Sequence, residues 1–198
     1  MSCNVLLAFS AYAFVTSITP GPSNLMLLAS GASFGFVRTV PQMLGITAGF
    51  GALLLGVGLG LGAVLAAFPA LHVGLKLAGG AYLLRLAWRI GTSRSLGEGG
   101  EAGGRPLTFL ESAAFQWINP KAWVVTATAV AVYADPDAPF RSVALIAAGL
   151  ALVNLPSVSA WAGFGTALRE RLSDPVRLRW FNIAAGVLLA ATLWPMTR

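Results

Sequence analysis

Apolar residues fall into six long stretches separated by short polar connections, at about 4–33, 40–68, 71–90, 108–134, 140–166 and 178–197. Crossing the hydrocarbon core of a bilayer takes roughly 20 mostly apolar residues as a helix, and each stretch reaches that length. The pattern predicts an all-α polytopic membrane protein with six transmembrane helices. Segment 91–107 departs from it: rich in Gly and Ser, with Arg94, Glu98, Glu101 and Arg105, it reads as a flexible linker. It divides a single domain, 1–198, into half-repeats of about 1–90 and 108–198. Three spans per half turn the second half upside down relative to the first, which is the 3+3 inverted-repeat arrangement.

Two stretches are interrupted at corresponding places in the two halves. Pro20-Gly21-Pro22-Ser23-Asn24 breaks the first, and Asn119-Pro120-Lys121-Ala122-Trp123 breaks the fourth. Proline lacks a backbone donor and clashes with the preceding turn. In lipid the freed backbone groups need partners, so such a break survives only against protein or a watery cavity. Paired interrupted segments of this kind point to a transporter's binding site. Helices 1 and 4 are therefore expected to be broken helices, and the fifth stretch is expected to bend near Pro156.

Composition strengthens the membrane reading. Hydrophobic residues make up 57% and charged residues 10%, against about 25% charged in a soluble domain; mean hydropathy is +0.76. The net charge of +6 does not imply nucleic acid, because the arginines are spread over short connections. That spread follows the positive-inside rule. Arg38, Arg85, Arg89, Arg94, Arg105, Arg169, Arg171, Arg177 and Arg179 fall on one side, and Lys76, Arg141 and Arg198 on the other. Connections 1–2, 3–4 and 5–6 are thus expected in the cytoplasm and both termini outside. No basic n-region precedes the run Asn4–Ile18, which reads as a retained first helix rather than a cleaved signal peptide. Cys3 and His72 are the only residues of their types. Neither offers a metal site, and His72 reads as a solvated loop residue; no cofactor is expected.

Lys121 is the most informative single residue. It falls near the middle of the fourth stretch, whereas all seven acidic residues fall in connections or at helix ends. A lysine at the centre of a membrane helix costs about 2.5–3.5 kcal/mol on insertion scales. Its side chain reaches roughly 5–6 Å, short of the roughly 15 Å to the headgroups. Its partner is expected to be carbonyls of a broken helix or a carboxylate arriving with a substrate; the structural alternative is a cap on a half-helix end. The first break should start a half-helix near Ser23, whose free N–H groups and positive dipole end suit a carboxylate, with Ser23 and Asn24 capping it or touching the ligand. Asn154, with Pro156, is placed on the same cavity. Gln116, Thr126 and Thr128 are weaker candidates. Gly45, Gly49, Gly56, Gly58, Gly60 and Gly62 form a small-residue series expected to let helices approach inside the molecule. Trp88, Tyr133 and Trp194 read as interfacial anchors. The substrate-binding set is therefore Pro20, Gly21, Pro22, Ser23, Asn24, Asn119, Pro120, Lys121 and Asn154.

Thr19-Pro20-Gly21-Pro22, Gly35-Phe36, Gly45, Gly49, Gly80-Ala81-Tyr82-Leu83 and Asn119-Pro120-Lys121, in this order over nearly the whole chain, resemble the LysE/RhtB family of bacterial amino-acid exporters. The stretch 19–36 is most similar to the branch that includes exporters of cysteine and O-acetylserine. The resemblance implies efflux of amino acids or derivatives across the inner membrane, with protons as coupling ion. Many relatives carry an acidic residue or Asn after Pro-Gly-Pro where this chain has Ser23, which argues against a basic substrate. The expected function is export of small neutral amino acids by alternating access, not enzymatic. The rivals are a membrane enzyme acting on lipid phosphates, which would want converging Arg, His or acidic groups, and a passive channel or scaffold subunit.

Overall fold

The structure, a computed structural model, describes residues 3–96 and 104–194, and no strand occurs among them. Its helices are α1 (Cys3–Ile18), α2 (Pro22–Phe34), α3 (Phe36–Gly56), α4 (Gly62–Ala67), α5 (Pro69–Thr92), α6 (Phe109–Phe115), α7 (Pro120–Tyr133), α8 (Pro139–Leu168) and α9 (Pro175–Ala191). A π turn, Val57–Leu61, joins α3 to α4, and a 3-10 turn, Arg171–Ser173, precedes α9.

Proline sets where these helices begin. Pro22, Pro69, Pro120, Pro139 and Pro175 each stand in the first turn of a helix. The missing N–H is harmless there, because the first turn has no intrahelical acceptor, and the fixed φ already suits a helix. The prolines that break the first and fourth stretches are therefore also the starts of α2 and α7. Pro156 behaves differently: α8 runs through it unbroken for 30 residues.

Two helical segments are each long and apolar enough to cross a membrane, Phe36–Val64 and Pro139–Leu168, and α1 with α2, bent by 52° at their break, makes a third when taken as one span. The remaining expected stretches are helical as well: α5, α6 with α7, and α9. The expected end of the last stretch, 195–197, lies outside the described residues, as do 97–103 of the expected linker with Glu98 and Glu101. One expectation needs correction. His72 lies in the first turn of α5 rather than in a loop, because the helix starts at once on Pro69. Tyr133, the last residue of α7, packs its ring edge-on against Phe9 at 5.2 Å.

The core is built around α2, all thirteen residues of which are buried. Leu25, Met26 and Ala29 pack with Leu83, Leu86 and Ala185 of α5 and α9, while Leu27 packs with Met43 and Ile46 of α3 and Val158 of α8. By contrast α1 turns Leu6, Leu7, Phe14 and Val15 outward, as a helix against lipid would. The pairing of elements is reciprocal. α1 lies along α8 in the same direction, with Phe9 against Gly149 and Trp161 bonded to Ile18. In the same way α6 lies along α3, with Phe109 against Gly45 and Ala113 against Gly49. A Cβ at Gly45 would run into the Phe109 carbonyl, so this part of the small-residue series does serve internal packing. Gly58 serves it too, since a Cβ there would run into Val143 of α8, but the end of the series does not. Gly60 and Gly62 have nothing within 4 Å of a built Cβ, and Gly60 takes φ 105° inside the π turn, a conformation glycine adopts without strain.

Candidate functional site

Each broken helix leaves carbonyls at the end of one piece and N–H groups at the start of the next. At the first break the carbonyls are taken by side chains. The Asn24 amide donates to Ser17 O at 2.8 Å and Thr19 O at 2.9 Å, and the Trp161 indole donates to Ile18 O at 3.0 Å. Asn24 therefore closes the end of α1 instead of capping α2. The N-cap of α2 is Gly21, in extended backbone, with no side chain bonded over the helix start. At the second break Asn119 is the N-cap of α7, its Oδ1 accepting the Lys121 N–H at 3.2 Å.

The two breaks meet. Asn119 Nδ2 donates to Ser23 Oγ at 3.0 Å and to Gln116 Oε1 at 3.1 Å, and the Ser23 hydroxyl donates to Gln116 Oε1 at 3.2 Å. Gln116 is itself held by its own donation to Ser112 O. Lys121 supplies the other link: Nζ donates to Thr19 O at 2.6 Å and Thr19 Oγ1 at 2.9 Å. Of the two partners the sequence allowed Lys121, the broken-helix carbonyl is the one present. The ammonium sits at the negative dipole end of α1, and no carboxylate among the described residues pairs with it; the ion pair among them is Arg105 with Glu111, beside the capping box that starts α6.

Two cavities flank this junction. The larger, of about 510 Å³, is lined by Pro20, Pro22, Pro120, Trp117 and Trp123, with Leu75 and Lys76 of α5. The smaller, of about 40 Å³, is lined by Ser23, Asn24, Gln116, Asn119 and Asn154. Gly21 and Lys121 border both. All nine residues singled out in the sequence thus line one cavity or the other. The larger is within the range of about 300–1,000 Å³ usual for small-molecule sites. Asn154 takes part through α3, its Oδ1 accepting from Thr47 Oγ1 at 3.0 Å.

Sequence reasoning missed three participants. Thr19 stands next to the proline motif, yet neither its carbonyl nor its hydroxyl was assigned to Lys121. Thr47 and Trp161 carry no local signal, because each is brought in by tertiary packing. The carbonyls of Ser17, Ile18 and Thr19, which the first break frees, each accept a protein donor.

Comparison with known proteins fixes the family. The profile described as LysE type translocator matches residues 14–192. The chain is 32% identical over 191 residues to the "Cysteine/O-acetylserine efflux protein" of Escherichia coli O139:H28 (strain E24377A / ETEC), covering 96% of this chain and 95% of the relative. It is 33% identical over 187 residues to the protein of that name from Shigella flexneri serotype 5b (strain 8401), covering 93% of each. No solved structure matches the chain significantly. With a family profile spanning nearly the whole chain, helices of membrane length and a cavity built on two helix breaks, the chain belongs to the LysE family of membrane translocators and is a transporter, not an enzyme.

Proposed function

We propose that this chain exports small neutral amino acids or close derivatives, of the cysteine, O-acetylserine or homoserine kind, across the bacterial inner membrane. The observation that carries the reading is the junction itself: the starts of α2 and α7 and the Lys121 ammonium converge on one pair of cavities in an apolar protein. Two positive helix ends and a cation favour a carboxylate. The N–H groups at the start of α2, which no side chain caps, offer it donors. Binding there would draw the Lys121 ammonium from Thr19 O towards the substrate. With the α1 carbonyls occupied, the amino group rests against the indoles of Trp117 and Trp123, whose faces attract cations. The name of the relatives, cysteine/O-acetylserine efflux protein, supports the substrate class.

Six spans in two inverted halves remain the proposed topology. The reciprocal pairing of α1 with α8 and α6 with α3 supports it, since exchanging the halves turns one pair into the other. Along α5 the larger cavity is lined by Leu75 and Lys76, about 14 Å or more from Arg85 and Arg89 at the other end. Thr192, at the end of α9, lines the same cavity, whereas Arg177 and Arg179 stand at the start of α9. With the arginine-rich end in the cytoplasm, the cavity faces the periplasm, as the release side of an alternating-access cycle should. Proton exchange is the proposed drive.

Efflux of a panel of labelled amino acids from proteoliposomes under an imposed pH gradient tests this reading. Saturable, gradient-dependent efflux of a few small neutral amino acids is expected. Absence of movement for every member rejects the reading, and non-saturable flux indifferent to the gradient replaces the carrier with a channel.

A further inference from the structure

The chain contains two lysines among thirteen basic residues, Lys76 and Lys121, and both line the 510 Å³ cavity. Every other basic residue is an arginine, and no arginine among the described residues lines either cavity. No Asp or Glu is among the described lining residues of either cavity, and Lys76 has no hydrogen-bond or ion-pair partner among the described residues. The cavity wall beside the two lysines is mostly proline, tryptophan and aliphatic side chains, with Thr192; Lys121 is half-buried and Lys76 exposed. Lysine differs from arginine in carrying a compact, strongly hydrated point charge on a mobile stem, suited to holding and releasing a small anion.

A zwitterion gains little from a second cation, because attraction to its carboxylate is offset by repulsion of its ammonium. A molecule with the same carboxylate but no free ammonium has no such offset. We infer that Lys76 is a second anion-binding group of the cavity, and that the chain also exports amino-acid derivatives of net negative charge, such as N-acylated amino acids, with Lys76 setting the ratio of these to zwitterions. The inference rests on the reading that this cavity holds the transported molecule.

N-acetylserine and O-acetylserine are isomers that differ in where the acetyl group sits, and so in whether the ammonium exists. Their labelled forms are compared in proteoliposomes containing the full chain, at mildly acidic pH where they do not interconvert, for wild type, Lys76→Gln and Lys76→Arg. The expected result is transport of both by wild type, with the apparent affinity for N-acetylserine falling about tenfold in Lys76→Gln, that for O-acetylserine changing less than about twofold, and Lys76→Arg retaining most of the wild-type ratio. Transport of O-acetylserine alone by wild type overturns the inference and leaves the exporter standing. An equal loss for both isomers in Lys76→Gln overturns it too, by making Lys76 structural. If neither isomer moves, the inference falls together with the proposed function.

Discussion

The ammonium of Lys121 lies 2.6 Å from the carbonyl oxygen of Thr19, one hundred and two residues away in sequence. Each residue belongs to a helix break, so this bond joins the two interruptions of the chain, as the bond from Asn119 to Ser23 also does. It also places a positive charge on the negative end of α1, which offsets part of the cost of a lysine at membrane depth. On the proposed reading, a substrate carboxylate would offer the ammonium a full charge in place of a carbonyl dipole.

Thr19→Val removes the hydroxyl partner at 2.9 Å and keeps the carbonyl. Polar contacts inside membrane proteins contribute about 0.6 kcal/mol on average and up to about 1.7. The expected result is a severalfold change in half-saturation of efflux with the protein still folded. An unchanged transport curve would show that the hydroxyl plays no part in holding Lys121.

Gly21→Ala probes the same lysine from the other side. The φ of Gly21 is −168°, extended backbone open to any residue, so the substitution causes no strain of its own. Its Cβ would stand 2.6 Å from Lys121 Cδ, and the flexible side chain has to move. Efflux is expected to fall towards that of Lys121→Ala, with thermal stability in detergent nearly unchanged. Full activity in Gly21→Ala would mean that the observed position of Lys121 is not required.

At Gly45 the obstacle is backbone instead. A Cβ there meets the Phe109 carbonyl, which cannot swing aside, and overpacking of this kind costs about 1–3 kcal/mol. Gly45→Val should therefore lower the melting temperature clearly, whereas Gly62→Ala, with nothing within 4 Å, should not. Equal melting temperatures would remove close α3–α6 contact from the account.

Topology can be read with the native chain, because Cys3 is its one cysteine and is exposed. With both termini outside, a membrane-impermeant thiol reagent added to intact spheroplasts should label it. Labelling only after permeabilisation would invert the orientation and turn the larger cavity towards the cytoplasm.

Much of this was legible in the sequence, for identifiable reasons. Proline acts locally and in a known direction, so Pro20, Pro22 and Pro120 marked the breaks. A charge without a nearby counter-charge is equally plain on the page, which is why Lys121 stood out. The roles of the neighbouring polar residues were not legible. Asn24 and Asn119 have similar chemistry and similar positions, yet Asn24 turns back to α1 while Asn119 caps α7 and reaches across to Ser23. That choice depends on which backbone groups tertiary packing leaves unpaired. The glycine series misled for a related reason. Spacing alone does not distinguish Gly45 and Gly49, pressed against α6, from Gly60 and Gly62, which stand in open space beside the π turn.

The central claim is that Lys121 holds the substrate's carboxylate where the two breaks meet. Its most direct test is efflux of whichever labelled amino acid moves best, in wild type and Lys121→Ala, each challenged with the unlabelled amino acid and with its methyl ester. The account predicts that wild type is inhibited by the acid and hardly by the ester, and that Lys121→Ala loses most transport together with this discrimination. Equal inhibition by acid and ester in wild type, or a Lys121→Ala protein that transports and discriminates as wild type does, would contradict it.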